Sequence, residues 1–134
     1  MYEYNARVRK IEDGSTIYLN VDLGFNITLN NLKFRLHNYS MPRIQGDEKY
    51  LGIRAKRKLF ELVPLNRLVK IRVHGSDKFG NHFGDIILPD GQTLTEFLIK
   101  LGYGVYWDKT KERYKWDPKA PYPDSSLAEK AKVE

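Results

Sequence analysis

Along residues 2 to 11 and again along 16 to 23, apolar and polar side chains alternate, and in the second run Ile17, Leu19, Val21 and Leu23 share one face. A period of two marks a half-buried strand, and Asp13-Gly14 between the runs supplies turn chemistry, so the pair predicts a hairpin. A third strand is expected over 25 to 36, with Ile27, Leu29, Phe34 and Leu36 as its apolar positions and Asn30-Asn31 as a bend or bulge. The period then changes. From Tyr50 to Val63, Leu51, Ala55, Leu59 and Leu62, with Phe60 beside them, recur every three to four residues, the spacing of a helix, which Pro64 closes. Strand patterns return over 68 to 73 (LVKIRV) and 83 to 88 (FGDIIL), with Pro89-Asp90-Gly91 turning the chain after the second. Thr93 and Glu96 then form a capping box for a helix through Leu101, and Gly102 stands where a C-terminal glycine belongs.

Three strands, a helix, two strands and a helix is the order of a small Greek-key barrel with helices, so the expected fold is an α+β, five-stranded OB barrel with a helix after strand three. Residues 1 to 107 hold that pattern. Residues 108 to 134 differ: Pro118, Pro121 and Pro123 break regular structure, and Ser125 to Val133 is expected to form a last short helix.

Composition narrows the chemistry. The chain has 134 residues and no cysteine, which excludes disulfides, thiolate metal sites and a cysteine nucleophile, and no run has the length of a membrane span. The N-terminus MYEYNARVRK lacks the order of a signal peptide, so a soluble cytoplasmic protein is expected, with no membrane partner. Twenty-three basic residues against 17 acidic give a formal charge of +6, which favours anionic partners. Residues 108 to 134 are nearly balanced, so most of the excess belongs to the barrel.

Three ordered motifs carry a family resemblance. "EDGSTIYL" is similar to an Asp-Gly-Asp-Thr turn with Ser15 in place of the second acid. "RLHNYSMPR" is similar to Arg-Leu-x-Gly-Ile-Asp-Ala-Pro-Glu with Ser40 and Arg43 in place of its acids, and "DKFGN" is similar to Asp-Lys-Tyr-Gly-Arg with Asn81 in place of the arginine. Together they resemble the staphylococcal-nuclease-like, or thermonuclease, domain, over roughly residues 4 to 107, and the "DLGFN" style also resembles nuclease-like proteins of tailed phages. The resemblance implies a calcium site, a glutamate that assists water attack and two arginines on the phosphate; of that set Arg35 alone remains, with Asp13 behind the metal position.

Those replacements reverse the electrostatics. Calcium takes its affinity largely from carboxylates, whereas Ser15, Arg35, Ser40, Arg43 and Asn81 sum to plus two. Arg43 stays protonated and cannot serve as a base, and Asn81 can donate a hydrogen bond but no charge. The degenerate site is therefore expected to need no cofactor, to lose calcium, and to bind a phosphate rather than cut beside one. The candidate nucleic-acid contacts are Arg35, Arg43, Arg54, Arg57, Phe79 and His82.

Other features admit two readings. Of the three histidines His37, His74 and His82, two, His37 and His82, are either bases of a relocated endonuclease site or ligands of a new metal centre, with Asp85 reading as scaffold before catalyst, or all three are ordinary polar residues at the surface or at strand ends. Asp47 and Glu48 are the acids close enough to swing back. The basic run Arg54, Lys56, Arg57 and Lys58 is either a nucleic-acid face or the solvated side of an amphipathic helix. Tyr103 and Tyr106 are expected to pin the tail to the barrel, while Tyr114, Trp116 and Tyr122 offer a partner-binding surface. The resulting expectation is a pseudonuclease that binds single-stranded nucleic acid, or a nucleic-acid-processing or defence enzyme as decoy or inhibitor, in a host cytoplasm if phage-encoded.

Overall fold

The computed structural model describes residues 2–123; the helix expected over 125 to 133 lies outside them. Strands β1 (Tyr2–Ile11), β2 (Thr16–Asp22) and β3 (Thr28–Leu36) follow one another as antiparallel neighbours. A two-residue strand β4 (Tyr39–Ser40) and a 3₁₀ turn (Gly46–Glu48) lead into α1 (Lys49–Leu62). Then come β5 (Leu68–Ser76), β6 (His82–Ile87), α2 (Leu94–Leu101) and a second short strand β7 (Val105–Tyr106). The long strands close a barrel in the order β1-β2-β3-β6-β5, with β5 back against β1 and β3 parallel to β6. The short strands pair with each other outside it, Tyr39 against Tyr106 and Ser40 against Val105.

The period-two positions supply the interior. Val8, Ile17, Leu19, Phe34, Ile71 and Ile86 are fully buried, α1 adds Leu51, Ala55 and Leu59, and α2 adds Leu94 and Leu98. Half of the expected box caps α2: Thr93 Oγ1 accepts from the Glu96 N–H at 3.1 Å, with no return bond to the Glu96 carboxylate among the described residues, and Gly102 turns left-handed at φ +89°. Among the described residues no helix is long and apolar enough to cross a membrane.

Several core expectations are corrected. Leu23, Ile27 and Leu29 belong to the apolar face of the β2–β3 hairpin yet are exposed, because β3 meets β6 only over Phe34, Arg35 and Leu36 and the far end of that hairpin has no β6 beside it. Phe60 faces solvent and Leu62 is half-buried, while Val63 takes the buried place at the end of α1. Lys58, which both readings of the basic run put at the surface, is buried against the Tyr103 ring and lies 3.4 Å from Glu61. Tyr106, expected to pin the tail, is exposed.

Candidate functional site

One end of the barrel carries a cleft of about 680 Å³. Four stretches build it: the β1–β2 turn (Glu12, Asp13, Ser15), the end of β3 with the following loop (Arg35 to Gln45), the β5–β6 hairpin (Asp77, Asn81, Phe83), and the chain after β7 (Trp107, Lys109, Arg113). Backbone hydrogen bonds lock them together. Leu36 N–H donates to Ser15 O, His37 N–H to Gly84 O and Trp107 N–H to Asn38 O, each at 2.9 Å.

Ser15, Arg35, Ser40, Arg43 and Asn81, far apart in sequence, all line this cleft. Both serines are buried, so their hydroxyls sit in its floor, while the two arginines are exposed on its walls. Arg43 is placed by a close approach to α1. A Cβ on Gly52 would stand 2.0 Å from the Arg43 carbonyl oxygen, so only glycine lets the loop lie there. The Arg43 N–H donates to Glu48 Oε1 at 3.0 Å, yet neither the Arg35 nor the Arg43 guanidinium has a partner among the described residues.

The carboxylates of the cleft are differently employed. Asp13 Oδ1 accepts the Ser15 N–H at 2.9 Å and stands 3.4 Å from its hydroxyl, a turn of the Asx kind. Asp77 holds its own hairpin, taking the Phe79 and Asn81 N–H groups on Oδ1 and the Asn81 side-chain amide on Oδ2 at 3.0 Å, and these bonds keep its carboxyl below the ordinary range. Glu12 accepts from the Tyr18 hydroxyl and lies 3.6 Å from Lys33. Calcium, which the family resemblance implies, does not suit this set. Hydroxyls and a guanidinium stand where the resemblance would put its ligands, the remaining acids are committed to turns and neighbours, and among the described residues no three of His, Asp and Glu are grouped to hold a metal.

Sequence reasoning missed the wall contributed by residues 107 to 113. Arg113 grips Glu48 with both terminal nitrogens, at 2.6 and 3.0 Å, and donates to Met41 O at 2.9 Å. Held by Arg113 first and by the Arg43 and Trp116 N–H groups, the Glu48 carboxyl falls to about 2. Glu48 is thus a brace for the cleft, not a mobile acid. Lys109 lies 4.8 Å from the Phe83 ring centre, and His37 stacks on that ring at 5.3 Å. His37 also stacks on His74 at 4.5 Å, and His74 Nε2 meets Asp85 Oδ2 at 2.7 Å. Partial burial, then the neighbouring His74, with Lys109 adding a smaller push against the opposing pull of Asp85, holds the His37 imidazole below its ordinary value. A lysine-rich but charge-balanced tail gave no signal that two of its cations face the site.

Counted over the whole lining, four cations (Arg35, Arg43, Lys109, Arg113) face three carboxylates (Glu12, Asp13, Asp77), and Arg113 is neutralised by Glu48, so the surplus is zero rather than the two expected from five positions. The other candidates lie elsewhere. Phe79 is exposed at the β5–β6 hairpin tip, with Lys78 5.3 Å from its ring, and His82 starts β6 outside the cleft lining. Arg57 is exposed on α1, and Arg54 donates to Tyr122 O at 3.3 Å. Trp116 meets Tyr114 and Tyr122 edge to face, and the Tyr122 hydroxyl donates to Tyr103 O at 2.5 Å, so this aromatic set packs largely on itself and the barrel, with Tyr114 its most exposed member.

No protein-family model matches the chain, and no curated protein matches it.

Proposed function

We propose that this is an OB-type barrel related to the thermonucleases in which the reaction centre has become a phosphate-binding cleft, and that it holds single-stranded nucleic acid without metal and without cutting it. The strand order, the single parallel contact of β3 with β6 and the helix after the third barrel strand support the barrel assignment. Convergence of the five motif positions in one cleft supports the site.

One observation carries the reading: Arg35 and Arg43 face the cleft with their hydrogen-bonding capacity unspent by the rest of the described chain. A guanidinium is always charged and presents a planar fork of donors that fits phosphate oxygens. The carboxylates nearby are turned to their own loops, so they add little competition for those donors. Phosphate contacts of this kind give affinity with little sequence preference. Hydrolysis would need an activated water, and neither a metal-ligand set nor a carboxylate base occupies the positions at which the family resemblance would place them.

Fluorescence anisotropy with a labelled single-stranded oligonucleotide in a chelating buffer tests this. Binding at low salt is expected, with the oligonucleotide recovered intact after incubation with calcium. Absence of binding would overturn the proposal in favour of a protein target, a nucleic-acid-processing or defence enzyme for which the barrel is a decoy. Cleavage by pure protein that His37→Ala abolishes would overturn it in favour of a relocated endonuclease site.

A further inference from the structure

The end of the β2–β3 hairpin away from the cleft presents an unfinished surface. β3 is registered against β2 from Thr28 to Arg35 but against β6 only from Phe34 to Leu36. The edge of residues 28 to 33 that faces away from β2 therefore has no strand partner among the described residues, and Thr28, Leu29, Asn30 and Asn31 are exposed. A bulge sets which side chains stand there. Leu29 is opposite Val21 and Leu32 is opposite Leu19, three steps on β3 for two on β2, with Asn31 at φ +56° and its N–H donating to Asn20 Oδ1 at 3.0 Å. The extra residue keeps both leucines on the face that forms the barrel interior lower down. At Val21 that face is 2% exposed, but Leu23, Ile27 and Leu29 on the same face are 43%, 56% and 42% exposed.

The tip itself is held rather than loose. Asp22 Oδ1 accepts the Gly24 N–H at 2.8 Å, and Leu23 N–H to Ile27 O and Ile27 N–H to Gly24 O, both 2.9 Å, close the turn. This forces Phe25 to φ +55°, a conformation that disfavours a bulky side chain, while leaving its ring 98% exposed.

Charge selects the occupant. Residues 23 to 32 contain no charged side chain, in a chain where 30% of residues are charged. Free edges in soluble proteins are normally guarded by charge, proline or a bulge; the Asn31 bulge guards the later part of this edge, while residues 23 to 29 ahead of it carry no such device, and loss of charge is the mark of the centre of a protein interface. An anionic membrane is recognised by basic residues, which this segment lacks. A second copy of the same hairpin meets no such objection. In a two-fold contact a segment faces itself, so any charge near the axis would confront its like, and a neutral segment is self-compatible.

We propose that two copies of the chain associate through this hairpin. The exposed residues ahead of the Asn31 bulge, Ile27, Thr28 and Leu29, lie beside the same residues of the second copy, with Ile27 and Leu29 packing on their counterparts. The seven residues of β2 separate this end from Ser15 by about 20 Å at the rise of a strand, so the association leaves both clefts open and does not depend on what they bind.

Sedimentation velocity from micromolar to near-millimolar protein, paired with amide hydrogen exchange, tests this. The weight-average mass is expected to climb toward twice the monomer, and exchange at residues 27 to 29 to slow as concentration rises. Ile27→Lys with Leu29→Lys should remain monomeric, with circular dichroism and oligonucleotide affinity unchanged; Ile27→Thr with Leu29→Thr is the milder pair if the lysines impair folding. A wild-type chain monomeric at the highest concentration, a folded variant that still dimerises, or exchange indifferent to concentration would each overturn the proposal.

Discussion

Phe34 and Phe25 belong to one hairpin and have opposite surroundings. Phe34, on β3 beside the cleft, is fully buried among β2, β6 and the helices, whereas Phe25, in the turn at the other end, is 98% exposed on a left-handed backbone. The cleft end is closed by β6, braced by α1 and strapped by the chain after β7; at the hairpin end β3 has β2 as its one strand partner among the described residues, with β1 on the far side of β2. Alternation of apolar residues decides which face a side chain occupies, but something else must cover that face before it becomes core.

The sharpest way to break this contrast is to truncate both rings. Phe34→Ala is expected to cost about 3–5 kcal/mol of unfolding free energy, and Phe25→Ala to stay within about 0.5 kcal/mol, read from urea melts at protein concentrations where the chain is monomeric. A comparable loss at Phe25 would mean that the hairpin tip is packed within a single chain.

The bracing of the cleft end can be probed next. Gly52→Ala sets a Cβ against the Arg43 carbonyl and must displace that loop, at about 1–3 kcal/mol, the usual cost of overpacking, with oligonucleotide affinity falling alongside. Unchanged stability and affinity would show that the contact does not position Arg43.

Glu48 offers a smaller, pH-dependent test. Its carboxyl falls from an ordinary 4.5 to about 2 in the folded chain, so its contribution is present above pH 4.5 and is lost as pH falls toward 2. Glu48→Gln should lower stability at neutral pH by about 2 kcal/mol, the scale of a charged hydrogen bond, and flatten the acid limb of stability against pH. An acid limb that stays as steep in the variant would remove Glu48 from the account. The Ile27 and Leu29 variants, far from this brace, should leave it unaltered.

How much was legible in the sequence follows the same division. The barrel strands, α1 and the Thr93 and Gly102 caps of α2 were readable because each depends on neighbours within a few residues, and the Asn30-Asn31 bulge was readable from its turn chemistry. Exposure of Leu23, Ile27 and Leu29 was not, because it depends on where β6 stops pairing with β3. The five motif positions could be named in advance because their order along the chain resembles a family pattern. Lys109 and Arg113 could not, since their approach rests on the short β4–β7 pair and on Glu48, contacts between residues more than sixty positions apart. Asp77 and Asn81 were visible as a motif, but their satisfaction of each other appears only in the hairpin geometry.

The central claim is that the unspent guanidinium groups of Arg35 and Arg43 bind phosphate without metal. Its most direct test is the slope of log affinity against log salt for a single-stranded oligonucleotide in chelating buffer. Each phosphate contact contributes a slope of about −0.7 for single strands, so Arg35→Ala and Arg43→Ala are each expected to make the slope shallower by about that amount, the double variant by about twice it, while Ile27→Lys with Leu29→Lys leaves it unchanged. A double arginine variant that binds with the wild-type slope would contradict the account.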